Sequence, residues 1–181
     1  MTGSLKIIMG SMFSGKSSEI IRIIKRYKLL NKKIMAINHS IDTRYDEQKI
    51  VSHDNVKMDC LSIDKLMPLI ETEDYKNSDV VVVEEAQFFD DLFNFVTLSA
   101  DKYNKDVVIA GLDGNFKREP FGDILRLIPH AESVVKLHAL CMNCRDGTKA
   151  SFTKRITNSE DNILIGTSSE YIPVCRKHYN E

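Results

Sequence analysis

The sequence predicts an α/β protein, a parallel sheet flanked by helices, with a small separate unit at its C-terminal end. Three observations carry that reading. Short apolar runs alternate with stretches of helical periodicity over the first 140 residues. A glycine-rich stretch joins the first run to the first helix, and after residue 140 the chain turns polar, with paired cysteine and histidine positions and no long helical pattern.

Residues 6–9 form an apolar run that stops at Gly10, as a buried strand would. From Lys16, Ile20, Ile21, Ile23, Ile24 and Tyr27 recur at helical spacing between basic residues. Residues 33–37 read as a second strand, and the polar, turn-rich residues 42–55 as a loop. Residues 62–70 predict a short helix capped by Ser62 and disturbed near its end by Pro68. The four valines 80–83 predict a strand buried on both faces. Residues 90–103 predict a helix with Leu92, Phe93, Val96, Leu98 and Ala100 toward the core, and residues 107–110 and 133–140 two further strands. The expected division is an α/β domain over 1–140 and a second unit over 141–181.

Composition narrows the function. A chain of 181 residues can bury a sizeable core without disulfides. With 25 Lys+Arg against 26 Asp+Glu, its net charge of −1 argues against a general polyanion-binding surface, so neither nucleic acid nor membrane is an expected partner. The valine run is too short to span a bilayer, and no secretory signal is visible at the N-terminus, which points to a reducing, cytoplasmic compartment. The four cysteines then need a role other than disulfides.

Gly10-Ser11-Met12-Phe13-Ser14-Gly15-Lys16-Ser17 fits the phosphate-loop pattern G-x-x-x-x-G-K-[ST] at every fixed position and lies between a strand and a helix. The backbone amides of such a loop cradle phosphate oxygens, Lys16 reaches the β and γ phosphates, and the Ser17 hydroxyl can ligate Mg²⁺. The sheet is therefore expected to be of the phosphate-loop NTPase type, with ATP and Mg²⁺ as ligands. Glu84 and Glu85 follow the third strand at the sheet edge where ligands bind, suited to a metal shell and a general base. Gln87 has an amide able to read a base edge, and Phe88 a ring able to stack on one; core packing explains the aromatic pair Phe88-Phe89 equally well. Cys141-x-x-Cys144 and Cys175-x-x-His178 supply a closed tetrahedral set for one structural Zn²⁺. Cys60 is left over as a small buried apolar side chain.

Together these segments resemble the thymidine kinases that carry a zinc ribbon, and the resemblance runs from about Lys6 to Tyr179. It rests on Gly10 to Ser18, Asp42-Thr43-Arg44-Tyr45, Glu85-Ala86-Gln87-Phe88-Phe89, Leu112-Asp113-Gly114-Asn115-Phe116, Pro120-Phe121, Ser151-Phe152-Thr153-Lys154-Arg155, and Ile165-Gly166 to Tyr171. The chain departs from the family pattern with Ser11 for Pro, Glu84 for Asp, Thr167 for Gly and His178 for Cys, and with two extra residues between Cys144 and Thr153.

The resemblance implies phosphorylation of the 5′-hydroxyl of thymidine by ATP. It makes Glu85 the general base, with Lys16 and Arg44 neutralising the transferring phosphoryl group and Asp42 orienting the acceptor side. Met12, Gln87, Phe88, Leu112, Phe116 and Phe121 would form the nucleoside pocket. Thr153, the main chain of Asn162, Ile163, Leu164, Ile165 and Gly166, and the Tyr171 side chain would form a lasso over the base. A homotetramer and inhibition by thymidine triphosphate are implied by the resemblance alone. The competing reading is a nucleic-acid-binding ATPase that uses the zinc ribbon as its contact; against it stands the lack of a basic, aromatic-interleaved stripe.

Overall fold

The computed structural model describes residues 2–42, 49–51, 57–157 and 169–181. Its centre is a six-stranded sheet built from β1 (Ser4–Gly10), β2 (Ile34–His39), β5 (Leu61–Ile63), β6 (Val80–Val83), β7 (Asp106–Gly111) and β8 (Ser133–Leu137), in the order β5-β2-β6-β7-β1-β8. Every pairing in it is parallel. A parallel sheet is covered on both faces, and the side chains sort accordingly. Ile8, Val80, Val82, Val108 and Ala110 meet Ile20, Ile21, Ile23 and Ile24 of α1 (Lys16–Leu29). Ile7, Val81, Val83, Val107 and Ile109 meet Tyr75, Phe89, Leu92, Phe95 and Val96 on the other face. Each fully buried aliphatic side chain contributes about 1.5–3 kcal/mol, so the period-two alternation along β6 stabilises both layers.

On that second face lie α2 (Glu73–Asn77) and α3 (Leu92–Thr97), whose last turns continue as a π-helix over Leu98–Lys102. Leu92 and Val96 are buried as expected, with Phe93, Leu98 and Ala100 packed more loosely, but Phe95 at 0% exposure contributes more than any of those three. Two predicted elements are corrected. Residues 62–70 are not one helix: Ser62 lies within β5, paired with Asn38 of β2, and Pro68 stands at the start, not the end, of a 3₁₀ turn over Met67–Glu71. The N-cap is Thr72, whose Oγ1 accepts from the Tyr75 N–H at 3.3 Å and opens α2. The strand predicted over 133–140 stops at Leu137, and Ala139–Leu140 (β9) pairs instead with β10 (Lys149–Ala150) in a separate antiparallel ribbon.

Within the expected loop 42–55, β3 (Lys49–Val51) forms a strand and pairs with β4 (Lys57–Asp59). Beyond β10, β11 (Phe152–Arg155) pairs antiparallel with β12 (Tyr171–Val174), and the short α4 (Arg176–Asn180) ends the chain. Ala139, Cys141, Ala150 and Val174 form a small core of their own, against which Phe13 of the phosphate loop packs. Cys60 is half-buried against the α1 face of the sheet, and desolvation pushes its thiol up to about 11. Among the described residues no helix is long and apolar enough to cross a membrane.

Candidate active site

The site lies at the C-terminal edge of the parallel sheet, where β1, β6 and β7 end. The chain leaves β1 at Gly10 and enters α1 through Gly15, whose φ of 86° is left-handed backbone that favours glycine. Lys16, only 9% exposed, folds its ammonium back over the loop and donates to the Gly10 carbonyl at 3.2 Å and the Ser11 carbonyl at 3.0 Å. The Ser14 Oγ is buried without a hydrogen-bond partner among the described residues, a donor suited to a phosphate oxygen. The positive end of the α1 dipole points into the same loop.

At the end of β6, Glu84 is 4% exposed, and its Oε1 accepts from the Ser17 hydroxyl at 2.5 Å. A hydroxyl and a buried carboxylate meeting beside a phosphate loop form the hard-oxygen donor pair that Mg²⁺ takes, so Ser17 and Glu84 fit the ion. Glu85 then adopts left-handed backbone, φ 51° and ψ 38°, which is uncommon outside glycine and typical of functional turns. Its Oε2 accepts from the Gln87 side-chain amide at 2.5 Å, while the Gln87 Oε1 accepts from the Leu112 N–H at 3.0 Å.

Past β7, residues 112–122 turn back through a bridge between Gly114 and Pro120, with the Asn115 side chain accepting from the N–H groups of Lys117 and Glu119. This turn presents Phe116 and Phe121. Phe121 meets Phe88 edge-on, ring centroids 5.4 Å apart, whereas Phe89 turns away into the core at 1% exposure. The pair that composition left ambiguous therefore divides between a half-buried position at the site and the core.

Arg155 was visible in the sequence only as part of a resembling segment; its role here is a clamp. Its guanidinium lies 3.7 Å from the Phe116 ring centroid and donates to the Tyr171 hydroxyl at 2.7 Å. The Thr153 Oγ1 accepts from the Met12 N–H at 3.0 Å, tying β11 to the phosphate loop. A second tie joins the Ser11 hydroxyl to the Ala150 carbonyl at 3.4 Å. Asp42 sits after β2, 3.5 Å from the Asn38 amide. Arg44, Asn162, Ile163, Leu164, Ile165 and Gly166 lie outside the described residues.

His39, at the end of β2, is a neighbour that sequence reading missed. Its Nδ1 accepts from the Ile41 N–H at 3.0 Å, and its ring lies 4.5 Å from Phe89 and 5.7 Å from Phe88. Burial holds its pKa below the usual histidine value, although Asp64, Asp90, Asp91 and Glu85 pull the other way. A lone histidine at a strand end gives no periodic signal, so only the packing reveals it.

Cys141, Cys144, Cys175 and His178 converge with all four ligand atoms within 4.8 Å of one another. The Cys144 and Cys175 sulfurs are 3.8 Å apart, and His178 Nδ1 is 3.4–3.5 Å from each of the three sulfurs. Tetrahedral zinc with bonds of about 2.3 Å to sulfur and 2.05 Å to nitrogen requires S···S near 3.8 Å and S···N near 3.5 Å. The cluster therefore fits a zinc site. Desolvation pushes the Cys141 thiol up, but backbone N–H groups of Cys144, Cys175 and Asn143 outweigh it and bring it down to about 6, favouring the thiolate. The exposed Glu181 carboxylate lies 3.7 Å from the far ring nitrogen of His178, beyond hydrogen-bond range.

Phosphate loop, hard-oxygen pair, carboxylate and aromatic wall on a parallel sheet define a nucleotide-dependent phosphotransferase. The sequence model for thymidine kinase matches residues 3–179. The chain is 42% identical over 181 residues to "Thymidine kinase a" of Arabidopsis thaliana, covering 98% of this chain and 75% of that one. It is 42% identical to the thymidine kinase of Yaba monkey tumor virus, covering 98% and 95%, and 40% identical to that of Bacteroides thetaiotaomicron, covering 98% and 87%. The chain belongs to the thymidine kinase family.

Proposed function

We propose that the chain transfers the γ-phosphoryl group of ATP to the 5′-hydroxyl of thymidine, giving thymidine monophosphate and ADP. The observation that carries the reading is the convergence of Lys16, Ser17, Glu84 and Glu85 on one sheet edge, beside the ring pair Phe88 and Phe121. Glu85 accepts the 5′-hydroxyl proton as that oxygen attacks the γ phosphorus and the bond to the ADP oxygen breaks. Lys16 and Arg44 offset the charge on the transferring group, and Asp42 orients the acceptor side. Ser17 and Glu84 would hold Mg²⁺, which would supply charge neutralisation for the phosphoryl group.

Phe88 stacks on thymine, Phe116 and Phe121 enclose the nucleoside, and Met12 and Leu112 line the niche for its methyl group. Such a niche favours thymidine over deoxyuridine by only about 1–3 kcal/mol, so deoxyuridine is a weaker substrate. The main chain of residues 162–166, with Tyr171, reads the base edge, and Thr153 holds the phosphate loop beneath it. Residues 141–181 form the covering unit, closed by one structural zinc. The protein is cytoplasmic and homotetrameric, with thymidine triphosphate as feedback inhibitor; these follow from the family resemblance. The nucleic-acid-binding ATPase reading is not favoured, since nearly the whole chain matches the kinase family.

The test is product formation with each deoxynucleoside in turn. Thymidine should be the best acceptor, and turnover of deoxycytidine without thymidine would overturn the assignment. Glu85→Gln should keep ADP binding and lose roughly 10²- to 10⁴-fold in kcat, the usual worth of a general base; a wild-type rate removes Glu85 from that role.

A further inference from the structure

Gln87 sits two residues beyond Glu85, in a 3₁₀ turn over Ala86–Phe88, and is 3% exposed. Burial at that depth is uncommon for glutamine unless both ends of the amide are satisfied. Both are, with opposite polarity: the NH₂ group donates to Glu85 Oε2 and the carbonyl oxygen accepts from the Leu112 N–H. The acceptor end is anchored on main chain at the end of β7, the least adjustable kind of partner. The donor end grips the carboxylate.

The surroundings press closely on Gln87. A methyl group placed on Gly111 would collide with Gln87 Oε1, and one placed on Gly122 would collide with the Gln87 carbonyl oxygen. The Gly111 segment presses on the side-chain amide and the Gly122 segment on the main chain of Gln87, and each presents a glycine where it passes. A side chain so enclosed cannot swing out to meet a nucleobase edge without breaking its hold on Leu112.

Glu85 needs such a hold. Its left-handed backbone places the carboxylate at a turn, where three side-chain torsions remain to be fixed. We propose that Gln87 is a positioning residue, an amide strut that transmits the rigid end of β7 to the Glu85 carboxylate and holds it aimed at the acceptor hydroxyl. The inference rests on the reading of Glu85 as general base. It replaces base-edge recognition by Gln87 with control of catalytic geometry. The same strut reaches the start of the turn carrying Phe116 and Phe121, so base and nucleoside wall share one anchor.

Two variants and one double variant test it in the full-length, metal-loaded protein. Gln87→Met keeps the length and removes both hydrogen bonds. Gln87→Glu keeps an acceptor for the Leu112 N–H and removes the donor to Glu85, so it serves if Gln87→Met fails to fold. Melting temperature and ADP affinity verify the fold of each. A carboxylate freed by about 1 Å costs on the order of 10²-fold, so kcat should fall roughly 10- to 100-fold in both, with KM for thymidine and ATP moving less than about 3-fold. Gln87→Met placed on Glu85→Gln should cause no further loss, since there is no base left to aim.

A rise in KM for thymidine at unchanged kcat would return Gln87 to base recognition and overturn the proposal. So would full additivity with Glu85→Gln, or a wild-type kcat in a folded Gln87→Met. A wild-type rate for Glu85→Gln alone overturns the base reading and this proposal with it. Impaired Glu85→Gln beside unimpaired Gln87→Met overturns the positioning role only.

Discussion

Replacing Arg155 with methionine isolates the clamp between the nucleoside wall and the covering unit. Methionine keeps most of the aliphatic stem but removes the charge, the contact with the Phe116 ring at 3.7 Å and the 2.7 Å donation to the Tyr171 hydroxyl. A hydrogen bond with one charged partner contributes about 1.5–3 kcal/mol net. A partly desolvated cation–π contact adds about 0.5–2 kcal/mol. Both join groups that are partly solvated after the change, and only the share spent on preorganising the site appears in affinity. A loss of about 2 kcal/mol is the reasoned magnitude, which is roughly 30-fold. The loss should fall on KM for thymidine, with kcat and KM for ATP each within about 3-fold, because neither Glu85 nor the phosphate loop loses a partner. Initial rates of ADP release across a thymidine titration at saturating ATP measure it. A folded Arg155→Met with wild-type KM for thymidine would refute the clamp; an equal fall in kcat would show that Arg155 acts on the chemistry instead.

Acidification should weaken the site through His39. Because its folded pKa is lowered by burial, the unfolded chain takes up the proton first, so unfolding free energy falls as pH drops below about 6.5 and is steady above it. Protonation also ends acceptance from the Ile41 N–H, so KM for thymidine should rise at lower pH, where the folded protein itself takes up the proton; His39→Gln should flatten both trends, checked by denaturant melts and rate measurements between pH 5 and pH 8 taken at roughly unit intervals. Elemental analysis should find one zinc per chain. Cys175→Ser, or chelation, should lower the melting temperature by roughly 10 °C or more, the equivalent of about 3–4 kcal/mol in a chain of this size.

Much of this architecture could be read from residues alone because the relevant signals are local. The valines 80–83 have no polar member, and all four are fully buried. The phosphate loop and the Cys/His knuckles are spacing rules, and the knuckles meet within bonding range of one ion. Failures occurred where partners are distant in sequence. Ser62 belongs to a three-residue edge strand whose only reason to extend is β2 beside it, and three residues carry no period. The break after Leu137 is invisible because no Gly or Pro marks it and both sides extend; only the choice of partner differs. Gln87 and Arg155 hold their neighbours across 25 and 16 residues of chain, respectively, and composition carries no record of such pairings.

The C-terminal unit, two antiparallel ribbons and α4, touches both the phosphate loop and the turn carrying Phe116. It holds the phosphate loop through Ala150 and Thr153, while the Tyr179 hydroxyl donates to the Phe116 carbonyl at 2.6 Å and Arg118 lies 4.2 Å from the Tyr179 ring centroid. Tyr179 is one residue from His178, and the unit carries the four residues that fit a zinc site. If both loops bind substrate and the cluster holds zinc, occupancy and metal affinity should be thermodynamically linked, each changing the other by the same factor. Substrate-saturated protein should retain its zinc to a higher chelator concentration than the ligand-free form, so metal affinity becomes a reporter of binding at sites the ion never touches.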